Sequence, residues 1–252
     1  DDYRPTIPTV SMTREDGLEL KEMLDNETSA TFNVFNHPDF IATFSSRGPV
    51  SPFYQKPDLV APGVFVNTTS LNNFYNITSG TSYAAPHVTG AIALLLEKNP
   101  NLKPDEIKSI LITTSEIITD EYNKEFDFDT GGAGRIDIEN AFNSELIFQP
   151  PKMIFNLSEE KNSEKQEIKI NSGGTNKKVE RVEFVGFENI SFEYEINNNI
   201  LSLTATFVDD IKGTFEGRVF VFHNDVKYQI PITVRIAEAS FIILEKENEL
   251  FF

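Results

Sequence analysis

The sequence predicts an α/β region followed by an all-β sandwich, on three observations. Residues 82–98 are small or apolar on every face of a would-be helix, as a helix buried inside a domain requires. A second helical pattern follows from Pro104. After Gln149-Pro150-Pro151 the helical spacing stops, and short β-like runs separated by turn residues take over.

Taken in order, residues 7–12 read as a short strand. Thr13 offers a helix cap, and Leu18, Leu20, Met23 and Leu24 give a helical apolar face. Residues 30–35 alternate as a strand does, and residues 40–44 read as another strand. Pro86 is expected in the first turn of the buried helix, where few backbone N–H groups have intrahelical partners. Asn99-Pro100 ends that helix. Pro104 opens the next, with Asp105 and Glu106 complementing its dipole, and it runs through Leu111. Gly131-Gly132-Ala133-Gly134 is a turn and residues 137–142 a short helix. Strands are expected at 167–170, 182–185, 201–207, 217–222 and 228–235, with the charged run 159–167 as a solvated hairpin. The resulting division is 1–36, 37–145, 146–236 and a tail, 237–252.

Composition excludes several functions. The formal charge of −17 repels nucleic acid, whose binding needs Lys and Arg to displace counterions. It favours solubility. Cysteine is absent, which removes disulfides, thiol catalysis and Cys-ligated zinc. With three histidines a histidine metal cluster is not expected. No resident cofactor is expected either, and calcium is an option that no residue set locates. No apolar run approaches ~18 residues, so no membrane-spanning helix is expected. The chain opens Asp1-Asp2-Tyr3 with no initiator Met, basic segment or apolar core, so no export signal is legible at this end. Asn-x-Ser/Thr triplets at Asn26, Asn67, Asn76, Asn156 and Asn189 point towards an extracellular or cell-surface setting.

The chemistry sits in Gly80-Thr81-Ser82-Tyr83-Ala84-Ala85-Pro86-His87-Val88-Thr89-Gly90. A serine at the start of a helix meets unsatisfied backbone N–H groups and the positive dipole end, which stabilise an oxyanion. Gly80 allows a tight turn beside a bound substrate, and the small residues after Ser82 let a rigid helix carry the nucleophile. An N-cap serine on a core helix is the alternative for a single serine. The eleven-residue context decides for catalysis.

That context resembles the active-site serine signature of the subtilisin-like (S8) peptidases, G-T-S-x-A-x-P-H-V-x-G, at every specified position. Residues 44–49, 56–63 and 132–137 are similar to the blocks that flank the serine in this family. Residues 5–35 resemble the end of a protease-associated (PA) insert, and residues 146–236 the fibronectin-type-III-like sandwich that often follows. The resemblance implies the C-terminal part of a three-layer domain with a parallel sheet, and an endopeptidase acting on polypeptides. Ser82 would be the nucleophile, and Gly80, Thr81 and Tyr83 would contact substrate. The family's aspartate, histidine and oxyanion asparagine precede its serine, and none of those motifs is found upstream of Ser82. They would come from a portion of the same enzyme before Asp1, and without it this chain is expected to lack triad-dependent turnover.

Two residues imitate triad members. His87 lies five residues after Ser82, about 7.5 Å along the axis and ~140° around it, so it cannot serve as the base and instead matches the motif's structural histidine. Asp129-Thr130-Gly131 imitates the family's aspartate motif but follows the serine. Two other classes compete. An α/β-hydrolase would use Ser82, Asp129 and His223 in that order, although His223 falls in the expected sandwich. A surface adhesion or scaffold fragment, or a pseudo-peptidase, would use the sandwich for binding.

Overall fold

The computed structural model describes residues 14–23, 39–50, 54–120, 122–172, 179–207, 211–224 and 226–237. The chain divides into two compact units, Asp1–Asn36 and His37–Phe252. The expected cap at Thr13, the strands at 7–12 and 30–35 and the tail beyond Ala237 lie outside the described residues. In the first unit the described element is helix α1 (Arg14–Met23).

The second unit begins with a two-stranded antiparallel ribbon, β1 (Val66–Thr69) and β2 (Tyr75–Thr78). Four helices follow: α2 (Thr81–Lys98), α3 (Pro104–Thr113), α4 (Phe128–Gly131) and α5 (Ile138–Asn143). Pro104 opens α3 with a fixed φ suited to the first helical position, and the Glu106 carboxylate accepts the Lys103 N–H at 3.0 Å. Asp137 caps α5 by accepting the Asn140 N–H.

Among the described residues eight strands follow: β3 (Ile147–Gln149), β4 (Met153–Ser158), β5 (Ser163–Asn171), β6 (Arg181–Val185), β7 (Ile190–Asn197), β8 (Ile200–Phe207), β9 (Gly213–His223) and β10 (Val226–Ala237). They form two four-stranded sheets, ordered β4-β10-β9-β6 and β3-β5-β8-β7. The β4–β10 pairing is parallel and the others are antiparallel. Phe148, Phe155, Ile168, Leu201, Leu203, Val219, Val221, Tyr228, Ile230 and Ile232, drawn from both sheets, share one core and are fully buried. Burying an aliphatic or phenyl side chain stabilises by about 1.5–3 kcal/mol, so this core is a main source of stability.

Four expectations need correcting. Residues 40–44 are not a strand: they are irregular and lead into a turn over 42–45, closed by the Ser45 N–H on the Ala42 carbonyl at 2.9 Å. The charged run 159–167 is not a hairpin: residues 159–162 turn a corner closed by the Ser158–Lys161 backbone hydrogen bonds, residues 163–167 begin β5, and β4 and β5 belong to different sheets. Helix α2 is not buried all round; among its described residues only Ala91 and Leu95 are buried, and Leu94 is 44% exposed. Pro86 is the sixth helical residue, past the first turn. Lacking an N–H, it releases the Ser82 carbonyl from its i+4 helix bond.

Helix α3 joins the helical portion to the β portion. Ile107, Ile110 and Leu111 pack with Ala91 and Leu95 of α2. Ser109, fully buried, donates its hydroxyl to the Phe148 carbonyl (2.6 Å) and accepts the Phe148 N–H (3.0 Å). The Tyr228 hydroxyl oxygen accepts the N–H groups of Glu145 (2.8 Å) and Leu146 (3.1 Å), tying the entry of the β portion to β10. Tyr228→Phe leaves those donors without their acceptor, so it should lower stability by about 1–3 kcal/mol. A lower urea midpoint at unchanged slope is the expected result.

Candidate active site

Ser82 is the second residue of α2, with Gly80 at the N-cap and no side chain capping the helix. Ser82 and Thr81 are exposed and Tyr83 is half-buried. The Tyr83 N–H turns back to the Gly80 carbonyl at 3.0 Å. The Thr81 and Ser82 amides therefore head the helix at its positive end. A hydroxyl and a backbone donor meet there, as stabilisation of a developing oxyanion requires.

The turn is fixed by backbone contacts. The Gly80 N–H donates to the Gly63 carbonyl at 2.8 Å. A Cβ on Gly63 would stand 2.9 Å from the Gly80 carbonyl oxygen and 3.2 Å from the Ala84 Cβ, so glycine alone permits the approach. Upstream of Gly63, the Val60 N–H donates to Gly134 (2.9 Å), the Ile136 N–H to Val60 (2.8 Å), and the Ala133 N–H to Asp58 (3.0 Å). Gly132 makes this possible at φ +58°, where a Cβ would fall 2.7 Å from the Pro57 carbonyl oxygen. Segments 56–63 and 132–137, quoted for their family resemblance, are thus physically paired.

Asp58 anchors the outer end of this ladder. Its carboxylate meets the ammonium groups of Lys56, Lys108 (3.0 Å) and Lys152 (2.9 Å). Burial opposes its ionisation, but hydrogen bonds from Lys56 and Lys152 and the charge of Lys152 outweigh it, holding its pKa well below the usual carboxylate range. Lys152 and Lys108 were not singled out in the sequence. A lysine after two prolines and one on a helix both read as solvent-facing charges.

Beside the turn lies a cleft of ≈ 450 Å³, with Gly80 and Thr81 on one wall and Phe40, Phe44, Leu59 and Pro62 among the others. Ser82 and Tyr83 are not among its lining residues, and neither are His87, Asp129 and His223. His87 donates Nδ1–H to the Tyr83 carbonyl (2.8 Å), one helical turn back. The Asp129 carbonyl accepts the Gly48 N–H (2.7 Å), and burial, then the neighbouring Asp127 charge, pushes its carboxyl pKa up. His223 ends β9, with Nε2 3.2 Å from a Glu145 carboxylate oxygen. Among the described residues no three His, Asp or Glu side chains gather in a metal-binding group.

Ser82 thus heads its helix from a turn that backbone hydrogen bonds hold in place. Residues 9–144 match the Subtilase family (Peptidase_S8), and the chain belongs to that family. It is 31% identical over 156 residues to the Minor extracellular protease Vpr of Bacillus subtilis (strain 168), covering 58% of this chain and 19% of that protein. Identity is 37% over 131 residues to the Subtilisin-like protease SBT1.6 of Arabidopsis thaliana, covering 43% and 17%. It is again 37% over 131 residues to the Serine protease AprX of Bacillus subtilis (strain 168), covering 46% and 27%. The matches thus span 17–27% of these relatives' lengths.

Because Asp58 has a depressed folded pKa, its contribution is fully present above the unfolded value near pH 4 and is lost as pH falls through the folded value. Asp58→Asn should cost about 1–3 kcal/mol at pH 7. The gap to the unaltered chain should narrow below about pH 4. Urea unfolding at pH 7, 5 and 3 measures this; a gap independent of pH would contradict the assignment.

Proposed function

We propose that this chain is the serine-bearing part of a serine endopeptidase, with Ser82 as nucleophile. The observation that carries the reading is the exposed Ser82 hydroxyl heading α2 in a turn clamped by the Gly80–Gly63 hydrogen bond. In this reading the Ser82 oxygen attacks a peptide carbonyl, and the Ser82 backbone N–H helps hold the oxyanion. The hydroxyl proton passes to a histidine oriented by an aspartate, and collapse of the tetrahedral intermediate expels the amine and leaves an acyl-enzyme. The histidine, aspartate and a second oxyanion donor, an asparagine, come from an upstream segment of the same enzyme. Thr81, Gly80 and Tyr83 flank the scissile bond. The chemistry needs no cofactor.

The upstream segment also supplies the cover for the open faces of α2 and the remaining strands of a three-layer domain with a parallel sheet. Residues 1–36 are the end of a PA-type insert, and residues 146–236 a fibronectin-type-III-like sandwich, a reading supported by two four-stranded sheets around one core. The setting is extracellular or at the cell surface. The printed name of the relative Vpr describes an extracellular protease, and no described helix is long and apolar enough to cross a membrane.

In the protein extended upstream to the length of its relatives, Ser82→Ala should lower kcat/KM on a peptide substrate by ~10³-fold or more, with His223→Ala within about twofold of the unaltered enzyme. Loss of activity in His223→Ala would instead support a triad of Ser82, Asp129 and His223.

A further inference from the structure

The contacts of Lys152 go further than tethering one part of the chain to another. Lys152 stands one residue before β4, directly after Pro150-Pro151, and its ammonium reaches back across nearly a hundred residues. It donates to the Asp58 carboxylate (2.9 Å) and to the Gln55 carbonyl (2.8 Å). Of the three lysines on Asp58 it is the best shielded, with 23% of its side chain exposed against 43% and 46% for Lys56 and Lys108. Partial burial strengthens its charge-assisted bonds relative to those of exposed pairs. Lys56 is only two residues from Asp58 and adds no long-range constraint.

The far end of the same segment touches the nucleophile turn. From Asp58 the chain runs through Val60, bonded on both sides to residues 134 and 136, to Gly63, whose carbonyl holds the Gly80 amide. Only four residues separate Asp58, whose carboxylate Lys152 grips, from Gly63, whose carbonyl sets Gly80. Residues 132–135, the partners of this segment, are themselves held from the β portion: Arg218 and Gln229 both donate to the Ala133 carbonyl at 2.9 Å.

We propose that Lys152 is a positioning residue for Ser82: by fixing Asp58 it sets segment 58–63 and, through the Gly63 carbonyl, the Gly80 turn that aims the serine. The β portion then forms part of the scaffold of the site. The functional meaning of this link rests on Ser82 being the nucleophile, but the link itself is measurable without turnover.

The experiment is residue-resolved amide hydrogen exchange on the full 252-residue chain. In Lys152→Met, the Gly80 and Val60 amides should exchange about tenfold faster or more, while Leu203 in β8 stays unchanged. Lys152→Arg, which keeps the charge, should restore Gly80 to within about threefold of the original rate. Should Lys152→Met not fold, Lys152→Gln, which also removes the charge, carries the same expectation. An unchanged Gly80 rate overturns the proposal. So does a uniform rise that includes Leu203, because that marks general destabilisation. If Gly80 responds in this chain while Ser82→Ala leaves peptidase activity intact in the protein extended upstream, the positioning link stands and the peptidase reading falls.

Discussion

Gln229 and Arg218 reach from the outer face of β10 and β9 to a single acceptor, the Ala133 carbonyl, and the arrangement of the second unit depends on that convergence. Both residues are only 3% exposed. Gln229 also donates to the Ser115 hydroxyl (2.8 Å) and accepts from Arg218, whose Nε–H reaches Glu125 (3.1 Å). Nearby, Gln55 donates to Thr233 (3.0 Å) and Glu216 (3.1 Å), and Glu216 accepts the Phe128 N–H (2.9 Å). A buried polar group without a partner is costly, so such a network tolerates few arrangements. An apolar contact would allow sliding; this one sets an orientation. Its members cover the outer face of the β4-β10-β9-β6 sheet, which explains why β10 is buried on both faces over residues 228–234.

The consequence for the site is a continuous backbone framework. Ala133 is held from the β portion and donates its own N–H to Asp58, and the segment it supports ends at Gly63 beneath Gly80. Charge reinforces the framework at its outer end, where three lysines surround Asp58. Burial pushes the Glu216 pKa up and neighbouring Asp127 and Asp129 add to it, against the Phe128 N–H and Arg218. The interface therefore combines one strongly ionised carboxylate with one that resists ionisation. Ser82 itself makes none of these contacts, which leaves its hydroxyl open to chemistry while its turn stays fixed.

Much of this was legible in the sequence where local rules decide. Pro104 with Asp105 and Glu106 marked α3, and Asp137 marked the start of α5. Five of the strands followed from their apolar alternation, and the serine motif located the exposed turn. The failures are equally physical. β3, with three residues, is too short to show a pattern, and β7 is interrupted by Glu193 and Glu195, so neither reads as a strand in the sequence. Residues 40–44 have strand-like composition, but a strand also needs a partner edge. Gln229, Thr233 and Arg218 occupy alternate positions that read as solvent-facing; only the tertiary fold covers them. Lys152 was invisible for the same reason, since a sequence does not disclose which carboxylate, ninety-four residues away, a lysine will meet.

The central claim is that Ser82 is a preset nucleophile awaiting activation from upstream, and active-site labelling tests it most directly. The protein carrying its upstream segment would be treated with a fluorophosphonate probe and the modified peptide located by mass spectrometry. The account predicts a single label on Ser82, absent in Ser82→Ala and absent when this chain is treated alone. No label on the extended protein, or a label on another serine, would contradict it.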